Sequence, residues 1–159
     1  MDKKILIEQF ALLMEADLNV LLQSAQVAYE AATHSENKAE DQYDTRGLEA
    51  SYLAEAQGKR SSQLNADLHL FRTIELKKFT KKTPIQATAL VTVDCEGKET
   101  TYLLMPCAGG LTTEYKGQRI QVITPQSPIG AALLGKQVDD QITILVQNKS
   151  KDFDIVSVG

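Results

Sequence analysis

The sequence predicts an α+β fold, in which an N-terminal antiparallel helical hairpin (a coiled coil) precedes a small antiparallel β-sheet domain with a short helix. Apolar residues recur every three or four positions in the first half, and they alternate with polar residues in the second. A lysine-rich segment separates these two patterns. The 159 residues suffice for one ordinary domain or two small ones. We therefore expect the hairpin in residues 1–76, a basic linker at 77–84 and the sheet domain in 85–159.

Two apolar stripes predict the hairpin. The first consists of Leu6, Phe10, Leu13, Val20 or Leu21, Ala25, Ala28 and Ala32. The second consists of Leu53, Ala56, Arg60, Gln63 or Leu64, Asp67 or Leu68, Phe71 and Ile74. Their heptad-like spacing is typical of two helices that pack against each other, since neither helix can bury its stripe alone. A first helix over residues 4–40 would span about 50 Å, a length that favours reach over enclosure.

The connection between the two helices, near residues 40–49, is acidic. Its carboxylates include Glu40, Asp41, Asp44 and Glu49, and Gly47 is its one strong helix breaker. An acidic helix connection is often only a solvated surface. The alternative interpretation is a functional tip that presents carboxylates at the end of a rod.

Alternation and turn residues predict five strands in the second half. They lie at residues 87–93, 101–105, 119–124, 141–146 and 153–158. Gly97 marks the turn between the first two strands, and the segment 148–151 connects the last two. Strands followed by a short helix and two more strands predict a single sheet with a helix packed on it.

The short helix is predicted from the stretch at residues 124–136. Ser127 is a good N-cap residue, and Pro128 suits the first helical position because its missing N–H has no partner there. Ile129 contributes to one apolar face, and Gly135 suits a left-handed residue after the last turn.

Composition narrows the classes of function. With 43% hydrophobic and 24% charged residues, the chain resembles a soluble globular protein. A net charge of -4 argues against general nucleic-acid binding through a basic surface. Two cysteines are too few for a disulfide framework or a zinc site. No signal peptide or membrane span is evident, so we expect a cytoplasmic protein without a membrane partner.

The stretch at 124–136, with Asp139, Asp140 and an alternating strand behind it, resembles the C-terminal domain of the Gre transcript-cleavage factors of bacterial RNA polymerase. The hairpin resembles that family more loosely. The resemblance implies an FKBP-like fold for residues 85–159 and RNA polymerase as the partner, with the hairpin entering its secondary channel. It also implies a partner-binding role for Gln126, Ser127, Pro128 and Ile129, which match a loop that grips the rim of that channel.

In Gre factors, a tip Asp followed three positions later by Glu helps to hold Mg²⁺ in the polymerase active site. Here Asp41 and Asp44 have that spacing, so the resemblance implies that they are the catalytic and metal-holding pair, with Glu40 and Glu49 as further tip carboxylates. The Mg²⁺ would be shared with the polymerase, without any tightly bound cofactor. The protein would then stimulate the nuclease activity of the polymerase and would not itself be an enzyme.

The tip departs from the family pattern. If Asp44 is aligned with the family Asp, Gly47 stands where the Glu is expected. The sequence therefore leaves open a factor that stimulates cleavage and a competitor that occupies the channel without cleavage. An FKBP-type prolyl isomerase or chaperone and a structural coiled-coil adaptor are the alternatives from other classes.

The linker carries Lys77, Lys78, Lys81 and Lys82. Such a run is usually a solvated connection, and the alternative is contact with the polymerase rim or with emerging nucleic acid. In the elongation complex we expect at most indirect contact with RNA or DNA. The oligomeric state is left open.

Overall fold

A computed structural model of the chain describes residues 2–33, 46–146 and 149–159. The chain divides into two compact units, Ala11–Arg72 and the combination of Met1–Phe10 with Thr73–Gly159. The predicted tip residues Glu40, Asp41 and Asp44 lie outside the described residues. The domain bounds expected from the sequence remain a prediction.

Two long helices form the first of these units. Helix α1 runs over Lys3–Thr33 and helix α2 over Arg46–Thr73. The Arg72 guanidinium lies 2.7 Å from the Glu15 carboxylate, which joins the last turn of α2 to the first half of α1, as expected for an antiparallel hairpin. Among the described residues, no helix combines the length and the apolar character that crossing a membrane requires.

The buried seam of the hairpin follows a regular heptad spacing. In α1 the seam consists of the buried or half-buried residues Ala11, Met14, Leu18, Leu21, Ala25 and Ala28, and in α2 of Ala54, Gln57, Ser61, Leu64, Leu68 and Phe71. Glu15 and Asp67, which are also half-buried, lie next to the seam. Steps of three and four residues separate the seam residues throughout, as in a coiled coil.

The predicted stripes were partly wrong in phase. Leu13 and Leu53 are 42% and 50% exposed, whereas Leu68 and Phe71 are buried as expected. Of the alternatives Val20 and Leu21, it is Leu21 that is half-buried. The seam of α2 uses small or polar side chains such as Ser61, whose hydroxyl donates to the Gln57 carbonyl oxygen at 2.8 Å. Hydrophobicity alone therefore pointed to the neighbouring residues.

The second unit is built on a single sheet, as predicted, but the sheet has six strands where five were expected. The strands are β1 Leu90–Cys95, β2 Lys98–Leu104, β3 Thr112–Tyr115, β4 Gln118–Ile123, β5 Gln141–Val146 and β6 Lys149–Val158, and helix α3 covers Pro128–Leu133 between β4 and β5. Their spatial order is β3-β4-β2-β1-β6-β5. Together with the two helices, this sheet confirms the α+β class.

The sheet differs from the expectation in three details. Strand β3 was not predicted, because it has only four residues and buries only Tyr115. Strand β6 begins at Lys149, so it includes part of the segment expected to be a connection. Strands β2 and β4 pair in parallel, with Thr101 opposite Ile120, while the other pairs are antiparallel.

One face of the sheet and α3 enclose the core. The core consists of Ile85, Ala89, Val91, Val93, Leu104, Ile123, Leu133, Ile142 and Ile155.

The start of α1 belongs to the same unit and is held there by Lys3. Its ammonium group donates to the carbonyl oxygens of Lys77, of Thr88 at 3.1 Å and of Gly159 at 3.2 Å. It also lies 4.7 Å from the centre of the Phe79 ring, within range of a cation–π contact.

Candidate functional site: the grooves beside helix α3

The entry to α3 is fixed by Ser127, as the sequence predicts. The Ser127 hydroxyl accepts from the Gly130 backbone N–H at 3.2 Å and donates to the Thr124 carbonyl oxygen at 2.7 Å. Pro128 then occupies the first helical position. The cap therefore holds the loop before α3 in one conformation and leaves Pro128 exposed at its corner.

The end of α3 also matches the prediction. Gly135 has φ +76°, a left-handed conformation that costs glycine little. Its backbone N–H donates to the Ile85 carbonyl oxygen at 2.8 Å, and the Ile85 N–H donates to the Lys136 carbonyl oxygen at 2.8 Å. These two bonds attach the helix end to the segment that precedes the sheet.

A groove of about 800 Å³ lies between the sheet and the start of α3. We call it the first groove. It is lined by Cys95, Glu96, Lys98, Thr100, Tyr102, Pro128, Ile129, Ile144, Leu145, Lys151 and Phe153. Its lining combines apolar side chains with several polar and charged ones, and such a combination can both bury and orient a partner. Leu145 is 75% exposed although it lines this groove, so the groove presents apolar surface to the solvent.

A second groove of about 470 Å³ adjoins the first. It is lined by Tyr102, Gly109, Gly110, Gln121, Val122, Ile123, Thr124, Gln126, Ser127 and Ile129. Tyr102 and Ile129 line both grooves and so form the ridge between them. The loop at residues 126–129 therefore borders both grooves, with Gln126 and Ser127 on the second and Pro128 on the first.

The charges of the first groove are mixed. Glu96, Lys98 and Lys151 line it together with the apolar side chains. Burial raises the pKa of the Tyr102 hydroxyl, and the nearby Cys95 thiol adds to that shift. Tyr102 lines both grooves, and its hydroxyl can donate a hydrogen bond to a partner.

The structure brings together only some of the residues predicted as sites. The four loop residues Gln126, Ser127, Pro128 and Ile129 lie side by side at the grooves. Glu49 lies in the first turn of α2, and its side chain is exposed. In the ranges 2–33, 46–146 and 149–159, no three His, Cys, Asp or Glu side chains are grouped as metal ligands would be.

Sequence reasoning did not identify the side chains that line the groove opposite the loop. Ile144, Leu145 and Phe153 belong to the hairpin of β5 and β6, whereas Tyr102 belongs to β2, and only the order of strands in the sheet brings β2 near that hairpin. One feature of the sequence could have indicated this surface. Leu145 follows Ile144 directly, so both faces of β5 carry apolar side chains.

Several solved structures are similar to this chain. GreA factor homolog 1 (Gfh1) of Thermus thermophilus is 17% identical, with 94% of each chain covered and a TM-score of 0.38. Gfh1 of Thermus aquaticus is 20% identical, with 91% of this chain and 90% of that chain covered and a TM-score of 0.39. A GreA/GreB elongation factor of Nitrosomonas europaea is 22% identical, with 62% of this chain and 78% of that chain covered and a TM-score of 0.38. Similarities at this level carry no argument about function.

The match to a family model is more specific. Residues 84–159 match the family of the C-terminal domain of the GreA/GreB transcription elongation factors. No curated protein matches the chain. The matched range contains the whole sheet, the capped entry to α3 and both grooves. Residues 84–159 are therefore similar to the C-terminal domain of the GreA/GreB transcription elongation factors, and over this range the chain is Gre-factor-like.

Proposed function

We propose that this protein regulates transcription elongation by binding bacterial RNA polymerase and inserting its helical hairpin into the secondary channel. The match of residues 84–159 to the C-terminal domain of GreA/GreB elongation factors carries the proposal. Its site of action would be the bacterial cytoplasm. The protein would act on the active site of the polymerase and would have no catalytic centre of its own.

The grooves beside α3 are the proposed docking surface on the rim of the channel. Pro128 is exposed and Ile129 half-buried at the ridge between the grooves, so both are placed to contact a partner. Apolar anchors surrounded by a few polar groups are the usual composition of an interface core. Here the anchors are Ile129, Leu145 and Tyr102, and Lys98 and Lys151 supply charge beside them.

The hairpin is the proposed channel-filling element. Helix α2 has 28 residues, which corresponds to a length of about 42 Å. Helices of this length have the reach that insertion into a channel requires. The packed seam and the Arg72–Glu15 ion pair stabilise the hairpin, which favours insertion as a preformed element.

The carboxylates Asp41 and Asp44 are the proposed metal-holding residues, supported by Glu40 and Glu49. Oxygen donors of this kind suit Mg²⁺, which usually takes one or two carboxylates from a protein and keeps several waters. When shared with the polymerase, a bound Mg²⁺ lowers the pKa of a water and stabilises a leaving oxygen. The part of this chain would be to present the two carboxylates at the end of the rod.

Cleavage of RNA in backtracked polymerase complexes tests this proposal. The wild-type protein, Asp44→Asn and Asp17→Asn would be added at several Mg²⁺ concentrations. Asp17 is an exposed carboxylate on α1, so its variant matches the change in charge away from the tip. We expect cleavage to be accelerated by the wild-type protein and by Asp17→Asn and to be lost in Asp44→Asn.

A second outcome would identify the other mode of action. If the protein does not accelerate cleavage but inhibits cleavage that an added Gre factor stimulates, it occupies the channel as a competitor. Absence of both effects at saturating protein would contradict the proposed function.

A further inference from the structure

Three exposed lysines, Lys78, Lys81 and Lys82, lie in the segment between α2 and β1. A fourth, Lys77, is also exposed, but its ammonium group donates to the Gln86 side chain at 2.8 Å. None of the residues of this segment lines either groove, so the segment is separate from the proposed docking surface.

The turn that carries Lys81 and Lys82 is held in a defined conformation. The Thr83 N–H donates to the Thr80 carbonyl oxygen at 3.0 Å, and the Thr80 N–H donates to the Thr83 hydroxyl oxygen at 3.1 Å. The two hydroxyl groups lie 2.8 Å apart. The two lysines are therefore the central residues of a fixed turn, so their backbone needs no ordering when a partner binds.

A neighbouring element adds a fourth free cation. Ile85 is 1% exposed and anchors the segment in the core of the sheet unit. Its backbone exchanges hydrogen bonds with Gly135 and Lys136 at the end of α3. These bonds place Lys136 beside the chain that leaves the turn. The Lys136 side chain is exposed. We call Lys78, Lys81, Lys82 and Lys136 the lysine cluster.

The charge of this cluster is not neutralised within the part of the chain that the structure describes. None of the four ammonium groups has a hydrogen-bond or ion-pair partner there. Repulsion between the adjacent charges of Lys81 and Lys82 in the turn is unfavourable. The rest of the chain is acidic, with a net charge of -4. The cluster is thus a local exception to the overall charge and fits an anionic partner.

The residue types favour phosphate over protein carboxylates. The cluster contains lysine alone, and protein interfaces are enriched in arginine and aromatic residues and depleted in lysine. Lysine binds phosphate as a point charge without base specificity. We propose that the lysine cluster contacts the phosphate backbone of nucleic acid, independently of sequence. This inference goes beyond the proposed docking on RNA polymerase and does not depend on it.

Anisotropy of a fluorescein-labelled, mixed-sequence RNA of 20 nucleotides tests the inference with the full chain and without polymerase. The measured quantity is the slope of the logarithm of the association constant against the logarithm of the salt concentration. Four phosphate contacts predict a slope of about -2.8. In Lys81→Ala/Lys82→Ala we expect a slope of about -1.4 and at least roughly tenfold weaker binding at low salt.

Lys116→Ala/Lys149→Ala is the matched control, because both lysines are exposed, neither forms an ion pair in the described part of the chain, and the change in net charge is the same. We expect it to keep the wild-type slope and affinity. Equal losses in the two double variants, or no RNA binding by the wild-type chain at low salt, would overturn the inference.

An acidic protein surface as the partner is a separate outcome. If RNA binding is insensitive to Lys81→Ala/Lys82→Ala while binding to RNA polymerase free of nucleic acid is weakened, the cluster faces protein, and the inference is wrong. The RNA titration contains no polymerase. Its result therefore does not depend on whether the protein docks on RNA polymerase as proposed.

Discussion

The backbone of Gly130 lies so close to Thr124 that a Cβ atom on residue 130 would stand 2.0 Å from the Thr124 carbonyl oxygen. The same oxygen accepts from the Ser127 backbone N–H at 3.0 Å and from the Ser127 hydroxyl at 2.7 Å. The loop before α3 is therefore compact because residue 130 has no side chain. This packing positions Pro128 and Ile129 at the grooves.

Gly130→Ala should destabilise the sheet unit. The added methyl group meets backbone that cannot move without breaking the Ser127 cap, so we expect a loss of about 1–3 kcal/mol in the free energy of unfolding. Urea denaturation measures this loss. Gly58→Ala is the control, because a Cβ on Gly58 of α2 meets nothing within 4 Å. That variant should gain about 0.5–1 kcal/mol, and equal losses in both variants would contradict this account of Gly130.

Ser127→Ala should cost about 1 kcal/mol in the free energy of unfolding, because it removes the N-cap of α3. Ser127→Thr keeps a hydroxyl group and should recover most of that stability. Thermal unfolding of the two variants, monitored by circular dichroism, provides the comparison. An alanine variant as stable as the wild type would show that the cap contributes little.

Lys3→Met should destabilise the protein, because the ammonium group bonds three backbone carbonyl oxygens. Methionine keeps the apolar part of the side chain and removes the donors, and we expect a loss of about 1–2 kcal/mol in the free energy of unfolding. The neighbouring Lys4 is exposed, so Lys4→Met serves as the control and should change stability by less than about 0.5 kcal/mol. Urea denaturation that gives the same midpoint for both variants would refute the role of Lys3.

Leu145→Glu should weaken binding to RNA polymerase without unfolding the protein. Leu145 lines the first groove and is 75% exposed, so its replacement costs little stability but adds a charge to the proposed docking surface. We expect at least a roughly tenfold loss of affinity, as for a central interface residue. Titration of labelled protein with core polymerase measures it.

Val156→Glu is the control for this docking prediction. Val156 is 44% exposed and lines neither groove. It should keep wild-type affinity. A Leu145→Glu protein that binds as tightly as this control would place the docking surface elsewhere.

Local signals in the sequence were sufficient where the structure depends on neighbouring residues. The cap at Ser127, the start of α3 at Pro128 and the left-handed Gly135 are all properties of one short stretch, and all three predictions were confirmed. Strand β3 was missed because its four residues are mostly polar.

Features that depend on distant residues were less predictable. The seam of α2 passes through Gln57 and Ser61, and only packing against α1 distinguishes these positions from their neighbours. The grooves arise from the order of strands in the sheet, which no local pattern encodes. The roles of Asp41 and Asp44 stay predictions.

Displacement of a labelled Gre factor from RNA polymerase tests the central claim most directly. The unlabelled protein would be titrated into a preformed complex of core polymerase with the labelled factor, and the released fraction would be measured by fluorescence anisotropy. Binding to the secondary channel and its rim predicts complete displacement by the wild-type protein and displacement by Leu145→Glu only at much higher concentration. A labelled factor that stays bound at saturating wild-type protein would contradict the proposed docking.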